Sequence, residues 1–341
     1  MKTQEPHTIM LKDNVEQTIL LPRYHYMIGR NSLTEINNPR GNFLNPFRKR
    51  AMEMTMFNAP KGGETIILRN KKKAILIDGG EDHINENVKL GKDILKFLKG
   101  KAKLQAIVLS HNHQDHSNAI GSVLDGNGSV LGNKINFYHQ AEDRTSNFFT
   151  KMMQKINNDH RITKIPIHPW KQKSIANWSG SQSIRLFCGP RVSGKYRRFY
   201  RSILMRVPFG DARFLFTGDI ERSPTENKLR TDKRTKHFLK NIDVLKITHH
   251  GSHTGTSARF LDHTSPKLFV TSSAKDKKHD LSPETEKRIE NYIKRNDDKF
   301  DVPYYTIFNT HWERKIIVRT DGKKRTLDGV NGILFEVETD Q

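Results

Sequence analysis

Cysteine is almost absent from this sequence of 341 residues, in which Cys188 stands alone. A single thiol excludes an internal disulfide framework and fits a reducing compartment, so we expect a cytoplasmic protein. Long apolar runs are also missing, and no stretch approaches the ~18–20 apolar residues that a helix needs to cross a bilayer. The opening MKTQEPHTIMLKDN has no apolar core of the kind found in secretion signals, so we expect no export by the common route.

Acidic residues are scarce relative to basic ones. The chain has 37 Asp and Glu against 59 Lys and Arg, which gives a net charge of +22. Such a charge favours binding to polyanions, above all nucleic acid, or to an acidic membrane surface; a well-solvated basic surface is the alternative interpretation. No G-x-x-x-x-G-K-[ST] pattern is present, so nothing in the sequence indicates a nucleotide-hydrolysis loop.

One basic stretch, KYRRFYR at 195–201, alternates positive charge with aromatic rings. Arginine and lysine side chains contact phosphates, and tyrosine rings provide faces on which bases stack. The alternative is a solvated loop whose rings cover the edge of the core. The residues predicted to contact nucleic acid are Lys195, Tyr196, Arg197, Arg198, Tyr200 and Arg201.

The order of apolar and turn-forming segments predicts two parts. Residues 1–51 mix proline, asparagine, arginine and aromatics without a sustained period, and we interpret them as an appended basic segment. Residues 52–341 alternate strand-like and helical segments, among them a hairpin at Asn70-Lys71, a charged helix over roughly 222–240 and a helix that begins at Ser282. This pattern predicts the α/β (α+β) class, with mixed sheets packed face to face and helices outside.

The strongest functional signal is the turn SHNHQDH at 110–116, which follows the apolar run AIVL. Residues two apart on an extended chain point the same way, so His111 and His113 can hold one ion together. Asp115 and His116 follow as the chain turns into a helix, and they face a second ion. Imidazole and carboxylate are ligands of Zn²⁺, Mn²⁺ or Fe, and the lack of a cysteine cluster argues against a structural zinc finger.

Two further motifs follow strands that end at the same predicted edge. Asp219 comes after FLFTG, where its carboxylate could bridge two ions with one oxygen each. His249 and His250 come after DVLKIT, and one of them would complete the second site. Two ions ~3.5–4 Å apart hold a hydroxide and neutralise charge on an attacked phosphate or carbonyl. The motifs therefore predict one or two divalent ions, Zn²⁺ or Mn²⁺, as cofactors.

HNHQDH, the TGD of residues 217–219 and the THHGS of residues 248–252 resemble motifs of the metallo-β-lactamase superfamily of hydrolases. The longer runs RSILMRVPFGDARFLFTGDIE, DVLKITHHGSHTGTSARFL and KLFVTSS are similar to the soluble hydrolase domain of ComEC-type competence (DNA-uptake) proteins. The match covers roughly residues 52–320. It implies a four-layer αββα sandwich of two mixed β-sheets with helices on both outer faces, and it makes residues 52–341 the hydrolase domain.

The resemblance also implies roles for individual residues at a one- or two-metal site between the sheets. The first ion would be held by His111 and His113, and the second by Asp115 and His116. Asp115 and His249 are the implied catalytic residues, His249 as a substrate-side or proton-handling group. The order of His249 and its neighbour could be reversed. The full set of implied metal ligands is His111, His113, Asp115, His116, Asp219 and His250.

Three further residues are weaker candidates. Many members of the superfamily have another histidine that completes the first site, and His139, which ends the strand-like INFYH, is favoured slightly over His160 and His168. The competence-type relatives often lack that ligand, so an open first site is the alternative. Asp78 in LIDGG would orient a metal-bound histidine, and His279 is a loose match to a His-Pro pair in the relatives.

These features predict a metal-dependent hydrolase, above all a phosphodiesterase or nuclease that acts on DNA or RNA through a metal-bound hydroxide. One alternative is a hydrolase of a small phosphodiester, another ester or a lactone with the same metal core, because one fold supports many chemistries. The other alternative is a catalytically quiet protein that binds nucleic acid or recruits a partner.

Overall fold

The computed structural model of the chain describes residues 23–28, 33–35, 51–59, 62–80, 84–141, 147–179, 182–190, 202–221, 225–273, 280–296, 307–310, 315–327 and 330–340. The predicted nucleic-acid stretch 195–201 and His279 lie outside these residues, so their roles stay predictions. No helix in the described ranges is long and apolar enough to cross a membrane.

The first sheet is mixed and contains ten of the described strands. Their order across the sheet is β2-β1-β17-β16-β3-β4-β5-β6-β7-β8, antiparallel from β2 to β5 and parallel from β5 to β8. The strands are β1 (Arg23–Ile28), β2 (Leu33–Glu35), β3 (Met52–Phe57), β4 (Ile66–Asn70), β5 (Lys73–Ile77), β6 (Lys103–Val108), β7 (Leu131–Gln140), β8 (Ile162–Ile167), β16 (Lys315–Leu327) and β17 (Val330–Asp340).

Part of the predicted appended segment belongs to this sheet. β1 pairs antiparallel with β17, where Arg23 lies opposite Glu338 and Ile28 lies opposite Ile333. β2 pairs only with β1 among the described strands and forms the edge. The division of the chain near residue 51 stays a prediction.

The second sheet is also mixed and has seven described strands in the order β15-β14-β13-β12-β11-β10-β9. β12 to β15 run parallel, and β9 to β12 are antiparallel. The strands are β9 (Gln172–Ser179), β10 (Gln182–Cys188), β11 (Ile203–Phe209), β12 (Ala212–Phe216), β13 (Val244–Lys246), β14 (Leu268–Thr271) and β15 (Ile307–Asn309).

The sheets pack face to face with helices outside, because their central strands are apolar on both faces. In the first sheet, Ile67 and Leu76 pack under the outer helices, whereas Ile66 and Ile75 pack toward the second sheet. This confirms the predicted αββα sandwich. The described helices are α1 (Ile84–Leu98), α2 (Gln114–Ser117), α3 (Ile120–Val123) and α4 (Asn147–Asn158) beside the first sheet, and α5 (Asn227–Thr231), α6 (Ala258–Thr264) and α7 (Pro283–Lys294) beside the second.

The structure confirms two of three predicted local features, the hairpin at Asn70-Lys71 and the helix that begins at Ser282. Lys71 turns the β4–β5 hairpin with a left-handed φ of 53°, and the Ser282 hydroxyl accepts from Thr285 N at 3.1 Å to cap α7. The charged helix predicted over 222–240 is wrong, since α5 ends at Thr231. Asp232 adopts an extended conformation and its carboxylate accepts from Arg234 N at 2.8 Å, a local bond that competes with the helix.

Candidate metal centre

The predicted ligands meet where strands of both sheets end. Asp78 follows β5, and the histidine turn at 110–116 follows β6 in the first sheet. Asp219 follows β12, and the His249-His250 pair follows β13 in the second. Side chains from loops that are far apart in sequence therefore converge between the two sheets.

The Asp78 loop approaches the histidine turn closely. Gly79 N donates to His116 O at 2.7 Å. A Cβ on Gly80 would lie 2.4 Å from the carbonyl carbon of Asp115, so only glycine leaves room for this backbone contact. The GG of LIDGG thus fixes the position of the turn that carries four predicted ligands.

One carboxylate oxygen, Asp219 Oδ2, is the centre of the cluster. It lies 3.3 Å from His116 Nε2 and 3.6 Å from His111 Nε2. The Nε2 atoms of His249 and His250 each lie 3.7 Å from it. The sequence suggested one oxygen of Asp219 for each ion, but all four imidazoles surround the same oxygen.

A single four-coordinate metal site would fit the spacing of four residues in this cluster, namely Asp115, His116, Asp219 and His250. Asp115 Oδ2 lies 3.3 Å from His250 Nε2 and 3.6 Å from His116 Nε2. His116 Nε2 and His250 Nε2 are 3.2 Å apart. Ligands ~2.0–2.1 Å from a tetrahedral Zn²⁺ lie roughly 3.3 Å from one another. Asp115, His116, Asp219 and His250 therefore fit one divalent ion.

A second set shares Asp219. His111, His113 and Asp219 each offer a ligand atom within 4.8 Å of the others, and the rings of the two histidines have centroids 4.3 Å apart. His111 Nε2 is buried without a hydrogen-bond partner in the described chain. A buried imidazole nitrogen with no partner is costly, and a cation at this position would bind its lone pair.

Hydrogen bonds on the far side of the rings direct lone pairs into the cluster. Asp78 Oδ2 accepts from His116 Nδ1 at 2.8 Å and from the Ser110 hydroxyl at 2.7 Å. Because that hydroxyl gives its one proton to Asp78, it accepts from His111 Nδ1 at 3.0 Å. His250 Nδ1 donates to Ser272 O at 3.0 Å. This network assigns the protons to Nδ1, which leaves Nε2 of each ring able to bind a metal.

The charges of the cluster suit a cation. Burial alone would raise the pKa of Asp219, but the surrounding imidazoles, led by His116, hold that pKa well below its usual value. Burial would also raise the pKa of Asp115, and His116 and His250 lower it instead. Burial lowers the pKa of His111 well below its usual value and lowers that of His113. Ionised carboxylates and neutral imidazoles, as at His111 and His113, are the protonation states that metal binding requires. His116 differs: burial lowers its pKa, but Asp219, Asp115 and Asp78 raise that pKa well above its usual value, so this ring must lose a proton when metal binds.

Sequence reasoning missed Glu64 and Lys246. Glu64 groups with His116, Asp219 and His250 as a possible ligand, and it forms a fully buried ion pair with Lys246. Lys246 Nζ lies 3.9 Å from Asp219 Oδ1 and donates to Gly218 O at 3.3 Å. The available signal was the lysine inside the apolar strand DVLKIT, because a lysine is almost never fully buried unless it is paired.

The remaining predicted residues fall into two groups. Asp78 is buried and accepts from His116 Nδ1; its role in orienting a metal-bound histidine stays a prediction. His139 lies outside the cluster: its ring stacks on Phe137, which packs under the outer helices, and its Nδ1 donates to Gln140 O at 2.8 Å. Alternation along β7 explains this, because residues 137 and 139 share the face that points away from the second sheet.

No protein-family model matches the chain. In sequence it is 23% identical over 191 residues to ComE operon protein 3 of Bacillus subtilis strain 168, covering 55% of this chain and 22% of that protein. It is also 23% identical over 228 residues to Recombination protein 2 of Haemophilus influenzae, covering 67% of this chain and 25% of that protein. The chain thus spans about a quarter of the length of these relatives.

Among solved structures, the chain is similar to the metallo-β-lactamase fold protein YhfI from Bacillus subtilis. The TM-score is 0.46 with 14% identity, covering 76% of this chain and 95% of that protein. The αββα architecture and the convergent motifs agree with the metallo-β-lactamase resemblance, and the sequence relatives fit its ComEC-type branch. The chain resembles these proteins as its motifs predicted.

Proposed function

We propose that this chain is a metal-dependent phosphodiesterase that cleaves nucleic acid. The observation that carries the proposal is the convergence of four imidazole Nε2 atoms within 3.3–3.7 Å of Asp219 Oδ2. Ligand sets that share one carboxylate suit a pair of divalent ions, and such pairs are common in enzymes that hydrolyse phosphodiesters.

In this proposal the two ions have separate ligand sets. Asp115, His116 and His250 would hold one ion, and His111 and His113 the other, with Asp219 shared. When bound, the ions supply an activated water and offset negative charge on the attacked phosphate. The chain itself orients the imidazole lone pairs, keeps the carboxylates ionised and excludes bulk water from the buried side of the cluster.

Hydrolysis requires the water oxygen to form a bond to phosphorus while the bond from phosphorus to the leaving oxygen breaks. One proton leaves the water, and the leaving oxygen gains one. Asp115 and His249 suit contact with substrate, because their side chains keep 16% and 23% of their surface exposed. Asp115 is held ionised, so its carboxylate would bind an ion and orient the attacking water by accepting a hydrogen bond from it. The proton that the water loses would pass to solvent. His249, whose Nε2 points at Asp219, can hold an ion or deliver a proton.

The charge of the chain supports nucleic acid as the substrate. A net charge of +22 attracts a polyanion, and neutralising phosphates releases counterions. The resemblance to ComEC-type competence proteins supports DNA in particular. A nuclease of this kind should lose activity steeply as salt rises, whereas hydrolysis of a small ester should depend little on salt.

The direct test incubates the purified protein with Mn²⁺ or Zn²⁺ and labelled single-stranded DNA, double-stranded DNA, RNA or bis(p-nitrophenyl) phosphate. We expect cleavage of nucleic acid that EDTA abolishes. The double change His111→Ala plus Asp219→Ala should remove it, and His160→Ala, on an exposed turn, should not. Cleavage that survives the double change would refute the site, and hydrolysis of the small ester alone would refute the nucleic-acid substrate.

A further inference from the structure

The two ligand sets are unequal. The set around Asp115, His116 and His250 has four protein ligands once Asp219 is counted. The set around His111 and His113 has three with the same aspartate. The histidine suggested by the sequence for the missing place, His139, is turned away from the cluster. An ion held by His111, His113 and Asp219 would therefore have three protein ligands and room for a fourth.

We propose that His249 is that ligand. The assignment rests on the proposed function, because it presumes two bound ions. His249 Nε2 lies 3.7 Å from Asp219 Oδ2, the same distance as His250 Nε2 and close to the 3.6 Å of His111 Nε2. The adjacent histidines of the HHG turn would then serve different ions.

The backbone of the turn is built to place both histidines in the site. Consecutive residues of an extended chain point to opposite faces, so an extended HH pair could present only one ring to Asp219. His249 and His250 instead have φ angles of 48° and 51°, a left-handed conformation that is unfavourable for residues with a side chain. His249 N donates to Gly218 O at 3.1 Å, and Ser252 N donates to His249 O at 2.7 Å. Strain of this kind is typical of functional sites.

The outer nitrogen of His249 follows the pattern of the other cluster histidines. Its Nδ1 faces Glu221 Oε1 at 3.5 Å, and Glu221 is itself held by the Thr254 hydroxyl, which donates to Oε1 at 3.1 Å. His116 has a carboxylate at the equivalent position, with Asp78 at its Nδ1. A carboxylate at Nδ1 fixes the ring and increases the basicity of Nε2, as is usual for histidines that bind metals.

The number of metal ions that a variant binds shows whether His249 is a metal ligand or only a proton donor. A histidine that only delivers a proton can be removed without changing the number of bound ions, whereas loss of a ligand empties or weakens one site. We would replace His249 by asparagine, because asparagine tolerates a left-handed backbone and lacks the imidazole. Glu221→Gln is the conservative second variant, and His253→Ala is the matched control from the same loop, where the side chain is exposed.

The experiment dialyses each protein against Zn²⁺ or Co²⁺, measures bound metal by elemental analysis and records the visible Co²⁺ spectrum. We expect two ions in the wild type and in His253→Ala, and one in His249→Asn. Glu221→Gln should bind the first ion about 10–100-fold more weakly. Circular dichroism verifies that each variant is folded.

The possible outcomes separate this assignment from the proposed function. Two ions in His249→Asn would overturn the assignment and leave the two-metal site standing. A single ion in the wild type would also overturn it, because no first ion would need a ligand. A wild type that binds neither Zn²⁺ nor Co²⁺ would refute the metal centre itself and the assignment with it.

Discussion

The buried pair of Lys246 and Glu64 gives a sharp test of the electrostatics behind Asp219. Both side chains have no exposed surface. Burial lowers the pKa of Lys246, but Glu64, Asp219 and Asp78 outweigh it and raise that pKa above its usual value. The lysine therefore stays charged at any ordinary pH. Replacing it by methionine keeps the length of the side chain and removes the charge, which leaves Glu64 without its cation.

The magnitude follows from the burial of both partners. Breaking a fully buried ion pair by removing one partner costs about 3–5 kcal/mol, because the other charge stays desolvated. Removing both charges, in Lys246→Met plus Glu64→Leu, costs far less and is often neutral. We therefore expect Lys246→Met to lower the free energy of unfolding by about 3–5 kcal/mol and the double variant to recover most of that loss.

The assay is urea unfolding followed by circular dichroism, in EDTA so that bound metal does not contribute. The control is Lys287→Met on α7, where the lysine is not in the buried core, and this change should alter stability by less than about 0.5 kcal/mol. A loss below about 1 kcal/mol in Lys246→Met would refute the reasoning, since that is the size expected of an exposed pair. So would a double variant whose loss equals the sum of the single losses.

Three further predictions concern protonation and metal affinity. Asp78→Asn should weaken metal binding about 10–100-fold in a chelator competition, because the carboxylate at His116 Nδ1 is lost; unchanged affinity would contradict it. Burial lowers the pKa of His116, but Asp219, Asp115 and Asp78 raise it well above its usual value, so metal must displace a proton. Calorimetry in buffers of different ionisation enthalpy should detect this proton release, and metal affinity should fall as pH is lowered. A binding enthalpy that does not change with the buffer and an affinity that does not change with pH would count against the prediction. Burial raises the pKa of Glu226 from 4.5 to about 7, so the folded state holds this proton to higher pH and stability should fall by about 3 kcal/mol as pH rises from about 5 to 8. Glu226→Gln should flatten that slope, and an unchanged slope would show that another group causes it.

The sequence was sufficient for the features that depend on local chemistry. Short apolar runs bounded by turn residues predicted the strands, and the ends of those strands predicted where the ligands meet. The H-x-H-x-D-H spacing, the strand that ends before Asp219 and the Ser282 cap all depend on a few adjacent residues. That is why the sandwich and the convergence of the three motifs could be anticipated.

The features that were not predicted depend mostly on contacts between residues that are far apart in the sequence. Glu64 and Lys246 are 182 positions apart. The lysine inside DVLKIT signals a buried partner, but nothing in either local sequence identifies that partner. The left-handed backbone at His249 has no simple signature, because only a few per cent of residues other than glycine adopt it. The end of α5 depended on a single aspartate whose carboxylate turns back onto the chain. The pattern of charged residues over 222–240 did not predict this early end of the helix.

The pairing of β1 with β17 bears on the order in which the chain assembles. A ribosome completes β1 some 300 residues before β17, the strand with which β1 pairs, so β1 lacks this partner until β17 has been made. β3 waits in the same way for β16, whereas β4 to β8 find their partners within the first half of the chain. This border of the large sheet can close only after β16 and β17 have been made, and until then its unpaired backbone can be bound by chaperones or aggregate.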